Sequence, residues 1–292
     1  MRFWCQSGLL FVLAVATSCQ REAHFWVEEV RVVPGTAVAA SDLEMDEAGL
    51  EEMLRQKAGQ NGRFQFSAKP STPGVRLVLE MATARSEIAR SQAPEVEVAA
   101  VMEVHRRKGE NTSKFRVDAS SRQAYAEDGG QPARRHAARE ALGRVVEQLL
   151  RATEAELAAR EFTDRVLVER LSATDVIVAD AAMHVLVERR HPAAVPALLR
   201  RLTSRDDVVV RRAIGHLVDL KDVRAVPGLI ELSRGRHSGL EREIVSALEE
   251  IGGDEARAYL YTLSQGHDLA HIREAARAAF DTLTARQARR NP

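Results

Sequence analysis

The feature that most restricts the fold is an internal period of 31 residues in the C-terminal half. Ala194-Val195-Pro196-Ala197-Leu198-Leu199 returns as Ala225-Val226-Pro227-Gly228-Leu229-Ile230, and more weakly as Ala256-Arg257-Ala258-Tyr259-Leu260-Tyr261. One period earlier, Val166-Leu167-Val168 falls on Ala197-Leu198-Leu199. A second set follows: Asp175-Val176-Ile177-Val178-Ala179-Asp180-Ala181 aligns, at a spacing of 32, with Asp207-Val208-Val209-Val210-Arg211-Arg212-Ala213. Leu186, Leu217 and Leu248 continue it at 31. A unit of this length is two short amphipathic helices, neither of which buries its apolar face alone, so a core forms only when units stack.

The carriers Ala-Val-Pro-x-Leu-Leu/Ile on the first helix and Asp-x-x-Val-Arg-Arg-Ala on the second resemble the HEAT-repeat family, in the short form of the phycocyanobilin-lyase type. The resemblance covers residues 161–286, about four units, with the outer two degenerate as capping units are. It implies an all-α solenoid that binds proteins. Pro196 and Pro227 fall near helix starts, where the missing N–H costs nothing. Asp175 and Asp207 are placed to cap the second helices.

Before the repeats, the pattern is that of a small α+β domain. Trp26–Val33 reads as a strand ended by Pro34-Gly35. Ser41-Asp42-Leu43-Glu44 is a capping-box signature for a helix to about Ala58. Phe64 and Phe66 alternate in a short strand, and Lys69–Gly74 is loop. Three longer runs alternate with period two: Val75, Leu77, Leu79, Met81; Val96, Val98, Ala100, Met102, Val104; and Phe115, Val117, Ala119. Each marks a strand with one dry and one wet face. Arg106–Asn111 supplies the turn between the last two. Near Pro132 a long helix opens, with Ala138, Ala141, Leu142, Val145, Leu149, Ala152 and Ala155 on the face that covers the sheet. The expected organisation is therefore an α+β N-terminal domain at 19–160 followed by an all-α HEAT-like helical solenoid at 161–292. The order of elements is similar to that in small modules of envelope lipoproteins, although no motif carries that likeness.

Residues 1–18 read as a signal. Met1-Arg2 precedes an apolar run from Gly8 to Ala16, too short to span a bilayer, which takes roughly 20 apolar residues. The sequence Val15-Ala16-Thr17-Ser18-Cys19 resembles a bacterial lipoprotein signal, departing from it at Ala16 where the family has Leu. The resemblance implies acylation of Cys19 and a membrane partner through lipid. Gln20 in place of Asp implies the outer membrane in a Gram-negative host. An ordinary cleaved signal with an incidental cysteine, and a retained anchor, stay open as alternatives.

Composition narrows function. Forty-two basic and 42 acidic residues cancel, which argues against a nucleic-acid partner. Cys5 and Cys19 are the only cysteines, so the body has no thiol nucleophile or cysteine-ligated zinc. Aromatics at 4% leave little for stacking on sugars or bases. No hydrolase elbow, zincin motif or phosphate-cradling loop occurs, and no cofactor is implied. His184 and His216 share a repeat position, yet at a helix spacing of about 10 Å they stand too far apart to share one metal ion. His267 and His271 are separated by Asp268, expected to cap the last helix. His105, the tip Arg106-Arg107-Lys108 and Asn111-Thr112-Ser113 read as solvated surface. Asp180, Arg212 and Glu243 occupy equivalent positions with alternating sign, an expected ladder of ion pairs between repeats. With His184, Arg211 and His216 they form the candidate partner-binding set. The expected function is an exported, lipid-anchored adaptor for a protein partner; the alternative is an assembly or transport factor whose α+β module handles a lipid or cell-wall polymer.

Overall fold

A computed structural model describes residues 25–33, 46–60, 62–66, 75–89, 94–234 and 238–290. The signal with Cys19, Pro34-Gly35, the capping box at Ser41 and the Lys69–Gly74 loop lie outside the described residues, as do the side chains of Val75, Leu77, Leu79 and Met81. The chain divides into two compact units, Met1–Glu147 and Gln148–Pro292. The division falls inside the long helix, ahead of the boundary expected at its end.

The first unit is a five-stranded sheet in the order β2-β1-β3-β4-β5, formed by β1 (Phe25–Val33), β2 (Phe64–Phe66), β3 (Val75–Ala89), β4 (Pro94–Lys108) and β5 (Asn111–Ala124). The last three strands run several residues beyond their apolar alternation. β1 is parallel to β2 and β3, and the helix α1 (Glu47–Gln60) makes the crossover between β1 and β2. β3, β4 and β5 are antiparallel neighbours. In β1 the buried residues are Phe25 and Val27, then Val30 and Val32, so the alternation changes phase once. A bulge between Val27 and Glu29 accounts for it: one extra residue, Glu28, lets both halves of the strand bury their apolar side chains. In β4 the five expected residues, Val96 to Val104, are buried at every second position. The β4–β5 turn is Gly109-Glu110, with Gly109 at φ 61°, where glycine adopts the left-handed backbone without strain.

Asp46 Oδ1 accepts the Gly49 N–H at 2.8 Å and starts α1, which buries Leu50, Leu54 and Ala58. The long helix α2 (Gly130–Glu161) buries Ala138, Ala141, Leu142 and Val145 in this unit. Its Arg144 fixes it over β5 by donating to Ser121 Oγ at 3.0 Å and to Gln123 Oε1.

The second unit takes the end of α2 and then four helix pairs: α3 (Asp164–Arg170) with α4 (Val176–Glu188), α5 (Ala194–Arg201) with α6 (Asp207–Leu220), α7 (Val226–Arg234) with α8 (Ser238–Ile251), and α9 (Asp254–Gly266) with α10 (Ala270–Arg290). Two rows of leucine, each at the 31-residue spacing, form the core. Leu167, Leu198, Leu229 and Leu260 lie on the first helices and Leu186, Leu217 and Leu248 on the second, all fully buried.

The period also fixes backbone that composition hides. Arg190, Lys221 and Gly252 leave α4, α6 and α8 with positive φ of 51°, 50° and 75°. Only the third is glycine, so the first two hold a conformation disfavoured for a side chain. The next position acts alike in two units: His191 Nδ1 accepts the Ala193 N–H and Asp222 Oδ1 the Arg224 N–H. At Gly228 a Cβ would meet Leu199 Cδ2 at 2.5 Å, so glycine there admits α7 closely against its neighbour.

Asp175 caps α4 as expected, accepting the Ile177 N–H at 2.9 Å. Asp207 does not cap α6. The cap is Asp206, accepting from Val208 N–H at 2.9 Å, while Asp207 is the first helical residue. The period explains the correction, because Asp206 stands 31 residues after Asp175, whereas matching residue types selected a spacing of 32.

Candidate functional site

The second helices carry the polar residues singled out above. On α4, Asp180, His184 and Glu188 are one turn apart, and on α6 Arg212, His216 and Asp219 share a face. Glu156 and Arg160, near the end of α2, complete the group. Their role is invisible in the repeat pattern, because that stretch of α2 matches no unit. The signal available was the i,i+4 Glu–Arg pair on an otherwise alanine-rich helix.

Glu156 organises the cluster. Among the described residues the buried polar ones are Thr153, Glu156 and Ser264; Glu156 bears a charge, and the side chain of Arg160 beside it is equally covered. One carboxylate oxygen accepts from Arg160 and the other meets His184 Nδ1 at 2.9 Å. Arg160 also donates to Glu188 Oε1 at 2.6 Å, and His184 Nε2 lies 3.6 Å from that same oxygen. Burial works against a charged His184, but the Glu156 hydrogen bond and the charges of Glu156 and Glu188 prevail and raise its pKa.

The His184 and His216 rings are 5.6 Å apart and tilted by 30°. The separation expected from helix spacing was too large, since both side chains lean into the seam between α4 and α6. Burial, with the His184 charge second, pushes His216 down to about 4. The groups facing it are His184 on α4, Arg201 at the end of α5, and Asp219 and Arg212 on its own helix. The pair thus sets a histidine whose charged form is favoured beside one whose neutral form is favoured. Both nitrogens of His184 face carboxylates.

These opposite shifts set a pH dependence. His216 has a folded-state value below its ordinary 6.5, so the unfolded chain takes up its proton first. Stability should fall as pH drops from 6.5 towards 4, by about 3 kcal/mol at most. His184 acts in the other direction: its contribution is complete below its unfolded value and is lost as pH rises through its raised folded value. Urea unfolding between pH 4 and 8 should show a smaller acid-side loss for His216→Asn than for the parent. Equal losses would mean that His216 is not held neutral.

The expected ladder is only partly built. Arg212 Nη1 reaches Asp180 Oδ2 at 2.8 Å, and Arg201 joins the same carboxylate. Glu243 pairs with the neighbouring Arg211 at 2.9 Å. Neighbouring units are thus joined by Arg212 and Arg201 on Asp180 and by Arg211 on Glu243. Arg211 and Glu243 are about half exposed, whereas Asp180 and Arg201 are mostly covered.

Other candidates are accounted for locally. His267 Nδ1 accepts the Leu269 N–H at 3.2 Å at the start of α10, where Asp268 was expected to cap, and His267 Nε2 lies 3.4 Å from Glu241. His271 is exposed. His105 Nε2 is 3.2 Å from Glu103, and Arg107 of the basic tip pairs with the bulge residue Glu28 at 3.0 Å. An open cleft of about 670 Å³ lies beside Gly252 and Gly253, but its Lys221 and Arg286 already engage Glu250 and the Glu249 carbonyl. Among the described residues no group of three or more His, Cys, Asp or Glu is arranged to hold a metal ion. No described helix is long and apolar enough to cross a membrane.

Stacked helix pairs, buried leucine rows and charged second helices give the observation that decides the class of the second unit. Residues 165–243 match HEAT repeats. These residues begin within α3 and end within α8, so the HEAT match contains His184, His216 and both ion pairs of the ladder. No curated protein matches the chain. Among solved structures, the complex of CpcE and CpcF of phycocyanin lyase from Nostoc is similar at 24% identity and TM-score 0.35, over 47% of this chain and 60% of that one. A hypothetical protein from Chlamydia trachomatis is similar at 10% identity and TM-score 0.36, over 46% and 96%. Rare lipoprotein B from Shewanella oneidensis is similar at 15% identity and TM-score 0.31, over 46% and 96%.

Proposed function

We propose that this protein is an exported, lipid-anchored scaffold that binds a protein partner through the polar side of α4, α6 and α8. The supporting observation is the division of labour along those helices. Their leucines fill a common core, while Arg211 and Glu243 remain half exposed and join neighbouring units. A solenoid held together this way keeps its outward side chains in fixed register, as a docking surface requires. Balanced charge favours a protein over a nucleic acid. Anchoring rests on Cys19 and the signal before it.

Two measurements test the reading. Cys19→Ser should abolish palmitate labelling and move the protein from the membrane fraction to the soluble fraction. Unchanged membrane association would defeat the anchor. A photocrosslinker at position 211 should capture one protein in native envelopes, and Glu243→Arg should lower that yield. Capture of nothing, or of the same products from position 116 on the sheet, would defeat the docking face.

A further inference from the structure

The sheet of the first unit ends at β5, and among the described residues that strand has a strand neighbour on one side only. β5 pairs with β4 without a register shift over its whole length of 14 residues. Edges of this length are templates for another strand, and proteins blunt them with charged side chains, a proline, a bulge or a short length. Of these β5 has only its charged side chains, so a partner strand must answer those charges.

The turn determines which backbone groups face outward. Gly109-Glu110 is a two-residue loop closing on the pair Lys108–Asn111, and the pair flanking such a loop exchanges both hydrogen bonds. The odd-numbered residues of β5 therefore bond to β4, and the even-numbered ones, Thr112 to Arg122, direct N–H and C=O to the edge. Arg144 Nη2 donates to the carbonyl of one of these, Arg122, at 3.3 Å. The same even-numbered positions carry the side chains of the wet face, with Lys114, Arg116, Asp118 and Arg122 all exposed, whereas Phe115 and Val117 are buried on the other face.

We propose that β5 pairs antiparallel with β5 of a second copy of this chain, centred on Val117, to make one continuous two-fold symmetric sheet. Charge favours this occupant and this register. On β4, Glu103 already holds Arg116 at 2.7 Å and Lys114 at 3.4 Å, and Glu97 holds Arg122 at 3.3 Å, so a partner strand extends these cross-strand rows. Centred on Val117, Arg116 lies against Asp118 of the second copy on both sides of the axis, Lys114 against its Ser120 and Thr112 against its Arg122. Val117 then meets itself on the dry face, and Phe115 meets Ala119, a large side chain against a small one. The neighbouring registers all oppose like charges. Centring on Arg116 sets that residue against itself, although it also sets Lys114 against Asp118. Centring on Asp118 sets that residue against itself and Lys114 against Arg122. Centring on Phe115 sets Lys114 against Arg116, and centring on Ala119 sets Arg116 against Arg122. The Val117 register alone has opposite pairs and no like pair. The interface is isologous, so the association closes at two copies.

The test is sedimentation of the full chain carrying Cys19→Ser, which removes lipidation from the comparison. That chain should dimerise reversibly at about 0.1 mM or below. Asp118→Arg alone and Arg116→Asp alone each place two like-charge pairs across the axis and should weaken self-association about tenfold or more. Mixing the two variants restores both pairs in a mixed dimer, so the mixture should dimerise like the parent. Ser120→Pro removes one outward N–H without touching the β4 ladder, and should give a monomer with an unchanged circular dichroism spectrum. A parent chain that stays monomeric overturns the proposal. So does a dimer that survives Asp118→Arg or Ser120→Pro, or a mixture that fails to recover.

Discussion

Glu156→Ala should destabilise the C-terminal unit by about 3–5 kcal/mol, the cost of removing one partner from a buried ion pair. Glu156 is 6% exposed and receives both Arg160 and His184. Without it Arg160 and His184 lose the carboxylate they share in the seam between α2, α4 and α6, and Glu188 remains beside both. His184 would lose the hydrogen bond that overcomes its burial and would titrate at lower pH. Equilibrium urea unfolding at pH 7, followed by circular dichroism, measures the loss. A change under about 1 kcal/mol would show that water reaches the cluster and that the carboxylate is dispensable.

The second large effect belongs to the leucine row. Leu217 is fully buried between repeats, so Leu217→Ala should cost about 2–5 kcal/mol through lost burial and the cavity left behind. Arg212→Ala, four residues after Val208 and on the opposite side of the same helix, should cost about 1 kcal/mol or less. Its side chain is 34% exposed, and Asp180 keeps Arg201. Thermal unfolding of the two variants in parallel tests the assignment of inner and outer faces. Equal losses would mean that α6 is rotated from the orientation described.

Much of this was legible because a period constrains a chain more tightly than a composition. The rows Leu167-Leu198-Leu229-Leu260 and Leu186-Leu217-Leu248 follow from spacing alone, and so do the β4 residues buried at every second position. What escaped was set by side-chain reach or by backbone. A spacing between helix axes says nothing of how far two imidazoles lean, and His184 and His216 came to 5.6 Å. Likeness of residue type favoured Asp207 over Asp206 as the cap, when the backbone period had already chosen. Arg211 took Glu243 because α6 presents two arginines side by side, and register cannot rank them. The bulge at Glu28 was written in the change of phase from Val27 to Val30, a signal that strict alternation discards as noise.

The recurring left-handed exits at Arg190, Lys221 and Gly252 bear on how such a chain can change over time. The first three helix pairs turn out of their second helix with the same positive φ, whether the residue there is arginine, lysine or glycine. The handover from one unit to the next is thus inherited as a shape rather than as a residue. Mutation is then free to rewrite the outward side chains of one unit while the hinge that joins it to its neighbour stays as it was. An array built on such a joint can acquire a new binding preference one unit at a time, without renegotiating its architecture at every step.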